Sequence, residues 1–178
     1  MIICVFGASS DNIHPEYIAL GEALGERLAQ RGHTLLFGGG AHGLMGAVAR
    51  GARRELGSVV GVAPDFFDRP GIFFPDCAMV MTDTMAERKT YMERESDAFI
   101  ALPGGVGTME ELFEVITLHS LGRLPKPVAM LDARGYWTTA CELLQKSVDG
   151  GFAKPTLESS YAYFTDIDKC LNYCEGRL

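Results

Sequence analysis

The stretch Pro103-Gly104-Gly105-Val106-Gly107-Thr108-Met109-Glu110-Glu111 concentrates residue types that handle anions. An apolar run, Ala98-Phe99-Ile100-Ala101-Leu102, precedes it, and a helical pattern, Leu112-Phe113-Glu114-Val115-Ile116, follows. The order reads as strand, glycine loop, helix. Glycines let a backbone approach a ligand closely. A helix start adds unpaired N–H groups and the positive end of a dipole, which together favour a phosphate. Thr108 contributes a hydroxyl there, and Glu111 a carboxylate one turn inside. The same pair has a second reading, because Thr108-x-x-Glu111 is the pattern of a capping box. Capping accounts for Thr108 and Glu111 but not for Pro103 and the three glycines after it. The ligand loop is the preferred reading.

Two further stretches have chemical content. Gly38-Gly39-Gly40-Ala41-His42-Gly43-Leu44-Met45-Gly46 follows a strand at Thr34–Phe37 and opens a helix from Leu44 to about Leu56. Gly38-x-Gly40-x-x-Gly43 satisfies the dinucleotide fingerprint, with Asp65 as the acidic residue beyond the next strand. That match is discounted. The fingerprint belongs after the first strand, and Ala63-Pro64 turns the chain before Asp65. The other stretch is a helix from Thr84, as N-cap, to Ser96. Met85, Arg88, Lys89, Met92 and Ser96 share one of its faces by spacing. Its two cations either snorkel past packed stems or face a pocket that needs positive charge, and spacing leaves both open.

These residues need a scaffold. Ile2–Phe6 is a continuous apolar run, which suits a strand covered on both faces of a parallel sheet. Past it, Ser9 and Ser10 either donate to a phosphate or cap the next helix, with capping preferred. That helix starts near Pro15 and runs to Arg31, stopped by Gly32. Strands follow at Ser58–Val62, Ala78–Met81, Val128–Leu131 and Ala162–Phe164, with helices from about Tyr136 to Asp149 and from Asp166. The loop Pro64–Asp76 carries Phe66, Phe67, Phe73 and Phe74, as core cover or pocket wall. The helix after Glu111 reaches about Leu121, and its His119 reads as a packing or surface histidine. Alternating strands and helices predict an α/β fold: a doubly wound parallel sheet with helices on both faces, one domain over residues 1–178. Ligands bind such sheets beyond the strand carboxyl ends, where strand order reverses. With the first strand central, the loops Gly7–Ser10, Gly38–Gly46 and Pro103–Thr108 converge, and two helix N-termini aim at one spot.

Composition narrows the function classes. A net charge of −7 argues against a general nucleic-acid binder. The five cysteines are scattered without a Cys-x-x-Cys, so buried thiols in a reducing compartment are expected. No signal peptide precedes the first strand, and no apolar run is long enough to span a bilayer. A soluble cytoplasmic protein is expected, with no membrane partner and no metal.

Gly-Gly-Gly-x-x-Gly-Leu-Met-Gly (Gly38–Gly46), Met-x-x-Arg-Lys (Met85–Lys89) and Pro-Gly-Gly-x-Gly-Thr-x-x-Glu (Pro103–Glu111), in this order, resemble the LOG (Lonely Guy) family. Its members are cytokinin riboside 5′-monophosphate phosphoribohydrolases, often mislabelled lysine decarboxylases. The resemblance covers essentially the whole chain. It implies a Rossmann-like homodimer with its active site near the dimer interface, and hydrolysis of the N-glycosidic bond of adenine-type nucleoside 5′-monophosphates without a cofactor. It implies Arg88 and Glu111 as catalytic residues. Ser9, Gly40, Gly43, Met85, Lys89, Gly104, Gly105, Gly107 and Thr108 are the expected substrate-binding positions. Two positions depart from the family pattern. Ala86 stands where many members have His, and Asp68-Arg69-Pro70-Gly71 lacks a substrate-contacting Glu that many carry nearby.

Overall fold

Seven strands pair in parallel in the computed structural model, which describes residues 1–177. In chain order the elements are β1 (Ile2–Phe6), α1 (Pro15–Gln30), β2 (Thr34–Phe37), α2 (Gly43–Arg54), β3 (Val59–Pro64), β4 (Ala78–Thr82) and α3 (Met85–Glu95). There follow β5 (Ala98–Ala101), α4 (Val106–Ser120), β6 (Val128–Leu131), α5 (Thr138–Asp149), β7 (Ala162–Phe164) and α6 (Ile167–Cys174). The spatial order is β4-β3-β2-β1-β5-β6-β7. Val5 of β1 therefore faces Phe37 of β2 on one side and Ile100 of β5 on the other. The order reverses at β1, as the sequence predicts.

The strands are apolar without alternation because both faces are covered. Ile3 and Val5 enter one buried cluster with Leu24, Leu28 and Val48 from α1 and α2. Cys4 and Phe6 enter the other with Met92, Leu112, Ile116 and Trp137. Consecutive residues of one strand thus feed opposite cores, as the pleat requires. On the first face α1 and α2 pack at glycine distance. A Cβ on Gly25 would overlap the Val48 carbonyl, and one on Gly51 the Glu22 carbonyl.

β3 runs on through Ala63 and Pro64, where the sequence reading has a turn, and two helix starts differ from that reading, each for a local reason. Thr108 does not cap α4. The helix begins at Val106 with Gly105 as N-cap, in extended backbone at φ −80° and ψ −163°, so Thr108 is its third residue. The Thr108–Glu111 capping box is therefore not formed, and Glu111 is free to look elsewhere. At α5 the Asp132 carboxylate accepts from the Tyr136 N–H (2.9 Å) and the Trp137 N–H (3.2 Å), which makes a turn and delays the helix to Thr138.

The close helix contact is testable. Gly25→Ala is expected to lower stability by about 1–3 kcal/mol or more, since the new methyl has only backbone to displace. Gly105→Ala, where a Cβ meets nothing within 4 Å, is expected to cost less than about 1 kcal/mol. Denaturant midpoints of the two variants check this.

Candidate active site

α3 presents the first functional side chain. Thr84 caps it by accepting from the Glu87 N–H (3.1 Å), while the Asp83 N–H donates to Glu87 (3.0 Å). That is a side-chain cap with a return bond one residue outside the capping-box position. It fixes the helix phase, and the inward face buries Arg88 and Met92. Arg88 Nε donates to the Val62 carbonyl (3.0 Å) at the end of β3. Arg88 Nη1 donates to Glu111 Oε1 at 2.5 Å. The guanidinium has room because position 38 is glycine; a Cβ there would stand 2.6 Å from Arg88 Nη2.

Glu111 sits on the second turn of α4, with 9% of its surface exposed. Burial pushes its carboxyl above the ordinary value of 4.5, although the Arg88 charge and hydrogen bond pull the other way. The result is a carboxylate held in place by a fixed cation, yet more basic than one in water.

The N-terminus of α4 lies beside it. Gly105 makes no side-chain cap, and the first helical N–H to reach back is that of Met109, to the Gly105 carbonyl (3.0 Å). The N–H groups of Val106, Gly107 and Thr108 therefore have no acceptor within the helix. The loop before them is fixed from behind. The Ala8 N–H donates to the Pro103 carbonyl (3.1 Å), the Tyr136 hydroxyl donates to the Gly104 carbonyl, and Trp137 Nε1 donates to the Ala101 carbonyl (3.2 Å). A Cβ on Gly104 would overlap the Thr108 hydroxyl.

These groups border one cavity of about 460 Å³ at the carboxyl ends of the central strands. Its polar lining includes Ser9, Gly105, Gly107, Thr108, Arg88 and Glu111. Its apolar lining includes Met45, Ala63, Phe67, Ile72, Phe73 and Met85. Gly40 borders it as well. Phe67 and Phe73 are thus pocket wall, while Phe74 belongs to the core.

Three expected substrate contacts lie outside this lining. Gly43 gives its N–H to Asp11 Oδ1 (2.8 Å), and the Met45 N–H is taken by the Ala8 carbonyl (3.2 Å). The start of α2 is thereby occupied by the protein itself, so one helix N-terminus, not two, serves the cavity. Lys89 points to the outer side of α4, where it pairs with Glu110 and with Glu114 (2.7 Å). Those two carboxylates push its ammonium up to about 12. Gly104 supports Thr108 and accepts from Tyr136 without bordering the cavity.

Sequence reasoning missed Asp132 and Tyr136, which fix the glycine loop, and Asp11 and His42, which close α2. Asp132 followed by Gly135 just past a strand is a turn signal that leads to the first pair. Asp11 and His42 lie on different loops, and their pairing needs the sheet order. Among the described residues no group of three or more His, Cys, Asp or Glu is arranged to hold a metal ion. No described helix is long and apolar enough to cross a membrane.

Comparison with known proteins fits this geometry. Residues 45–174 match the sequence model of a family described as "Possible lysine decarboxylase". A probable cytokinin riboside 5′-monophosphate phosphoribohydrolase of Oryza sativa subsp. japonica is 43% identical over 86% of this chain, a match that spans 63% of that protein's own length. A cytokinin riboside 5′-monophosphate phosphoribohydrolase of Mycobacterium tuberculosis is 39% identical over 97% of this chain and 92% of its own. Among solved structures, the molybdenum cofactor carrier protein of Chlamydomonas reinhardtii superposes with a TM-score of 0.74 at 21% identity, covering 99% of this chain and 96% of that one. At that identity the likeness is one of fold. The match to the family model and the near-full-length mycobacterial relative place this chain in the LOG family.

Proposed function

We propose that this chain hydrolyses the N-glycosidic bond of adenine-type nucleoside 5′-monophosphates, AMP and N6-substituted cytokinin riboside monophosphates among them, to the free base and ribose 5-phosphate. The observation that carries the reading is the buried Arg88–Glu111 pair on the wall of a cavity that also contains the open N-terminus of α4. A phosphate carrier needs the helix end but has no use for a buried, fixed carboxylate with raised basicity. The fold likeness to a molybdenum cofactor carrier leaves that second reading available, and the pair weighs against it.

The chemistry follows from the groups present. The phosphate takes the N–H groups of residues 106–108 and the Thr108 hydroxyl. Breaking the bond from ribose C1′ to the base nitrogen leaves cationic character on the ribose and an electron pair on the base. One water adds to C1′, one of its protons leaves, and the base gains one proton overall. Glu111 stabilises the ribosyl cation or takes the water's proton, and its raised pKa suits it to the second task. Arg88 does not release a proton, because guanidinium stays charged. Its role is to keep Glu111 ionised and aimed despite burial. The apolar lining from Phe67, Ile72, Phe73 and Met85 suits the base and its N6 group.

We further propose that the chain works as a homodimer in the cytoplasm. α4 buries Leu112, Val115 and Ile116 while Phe113 and Leu118 stay partly exposed, so its apolar arc exceeds what the monomer covers. Light scattering at micromolar concentration is expected to give twice the chain mass, and a monomer mass would remove the proposal.

The role of Glu111 is tested by Glu111→Gln, which keeps shape and loses charge. AMP hydrolysis is expected to fall roughly 10²-fold or more while AMP affinity is largely kept. In the unmodified protein the acid limb of kcat/KM is expected above pH 4.5, because the working form is the carboxylate and burial raises its pKa in the free protein. Near-normal hydrolysis by the variant would remove Glu111 from the chemistry, and no hydrolysis by the unmodified protein would favour the carrier reading.

The phosphate site has its own test. Adenosine is expected to be a far poorer substrate than AMP. Gly105→Val is expected to weaken AMP binding, because its side chain projects into open space with no protein atom within 4 Å of the Cβ. Equal turnover of adenosine and AMP would contradict the assignment.

A further inference from the structure

The cavity wall formed by Phe67, Ile72 and Phe73 belongs to a segment with little support from outside. Phe66, Phe67 and Ile72 are all exposed to 40% or more. The segment is attached to the β2–α2 loop by three hydrogen bonds. The Ala41 N–H donates to the Ile72 carbonyl (2.9 Å), and the Phe74 N–H donates to the Gly39 carbonyl (2.7 Å). The third runs from His42 Nε2 to the Gly71 carbonyl (3.1 Å). The other ring nitrogen, His42 Nδ1, lies 2.7 Å from Asp11 Oδ2.

Both partners of the imidazole are pure acceptors. A neutral ring has one N–H and can serve one of them; the imidazolium serves both. The carboxylate holds its hydrogen more strongly than the carbonyl does, because that bond is charge-assisted. Loss of the second proton therefore releases Gly71 and sets a lone pair against its oxygen. We propose that His42 is a positioning residue that fastens the wall segment over the cavity, and that it does so completely only when doubly protonated, so that closure of the wall follows pH.

The charged surroundings support one direction. Asp11, from the β1–α1 loop, also accepts the Gly43 N–H, and that bond first and His42 second hold its carboxyl below the ordinary range despite some desolvation. Asp11 thus keeps its charge, and it offsets the positive end of α2 that opposes a cation at position 42. Arg50 on α2 acts on Asp11 and leans toward the Ala41 carbonyl (3.5 Å). The segment itself carries Asp65, Asp68 and Arg69, and Glu110 lines the cavity from α4. Only the imidazolium has two N–H groups to give, so the wall is expected to loosen as pH rises.

The consequence for specificity rests on the proposed function: a substrate with an apolar N6 group uses this wall more than AMP does. The fastening itself is testable without turnover. Hydrogen exchange of the Ala41 and Phe74 amides in the ligand-free protein, corrected for intrinsic rates, is expected to show about threefold less protection at pH 8 than at pH 5.5, the scale of one solvent-exposed ionic hydrogen bond. In His42→Ala the protection is expected to be low and equal at both values, with the β1 and β5 amides unchanged. Asp11→Asn, which removes the counter-charge, is expected to move the loss of protection to lower pH. Equal protection of the unmodified protein at both pH values, or full protection in His42→Ala, would overturn the proposal. In turnover, the KM of an N6-alkylated AMP is expected to rise with pH more than that of AMP, an effect absent in His42→Ala. Failure to hydrolyse any nucleotide would sink the proposed function and leave the exchange result to decide the fastening.

Discussion

The structure is arranged around the cost of burying Arg88 and Glu111 together. Removing two charges from water is expensive, and their mutual attraction repays it only when geometry is good and remaining donors are met. Here α3 delivers the guanidinium, the Val62 carbonyl takes Nε, and Glu111 takes Nη1. The rest of the local sequence serves that meeting. The Thr84 cap and the bond from the Asp83 N–H to Glu87 fix the phase of α3. Gly38 leaves the guanidinium its path. The glycine start of α4 places Glu111 on its second turn, where it points inward. Such a pair adds little to stability for its cost, so its presence on a cavity wall points to chemistry.

Much of this was legible in the sequence. Continuous apolar strands and alternating elements were enough for a doubly wound parallel sheet, and the glycine loops were enough to point to the cavity at the reversal of strand order. Arg88 was ambiguous by spacing alone, since a snorkelling arginine and a pocket arginine occupy the same stripe. Burial and the Glu111 partner decide between them. Lys89, next to it in sequence, shows why adjacency is not enough. One residue is 100° around the helix, and that rotation carries Lys89 out to Glu110 and Glu114.

The capping box at Thr108 failed as a reading because the pattern has no knowledge of where a helix begins. With glycine at 105, an extended N-cap needs no side chain, and α4 starts before Thr108. The consequence is functional. A carboxylate at Glu111 that closed the backbone of α4 would be spent on it; freed from that duty, it meets Arg88. Asp132 was invisible for a different reason. It accepts from Tyr136 and Trp137 near in sequence, but its effect appears far away, where the Tyr136 hydroxyl holds the Gly104 carbonyl.

The two glycine turns look alike as sequence: each follows a strand, opens a helix and lacks a side-chain cap on its own N-cap residue. The fold treats them oppositely. At α2 the Asp11 carboxylate arrives from the neighbouring loop, takes the Gly43 N–H and neutralises the dipole with a protein charge. At α4 no carboxylate among the described residues is bonded to the first N–H groups, and Glu111 is tied to Arg88. The same helix-end physics is answered by a side chain in one case and left for a ligand in the other. Under the proposed function, that division explains how a chain of net charge −7 would hold a phosphate. The attraction comes from oriented backbone at a single helix end, while Arg88 in the cavity wall is already committed to the carboxylate it keeps ionised.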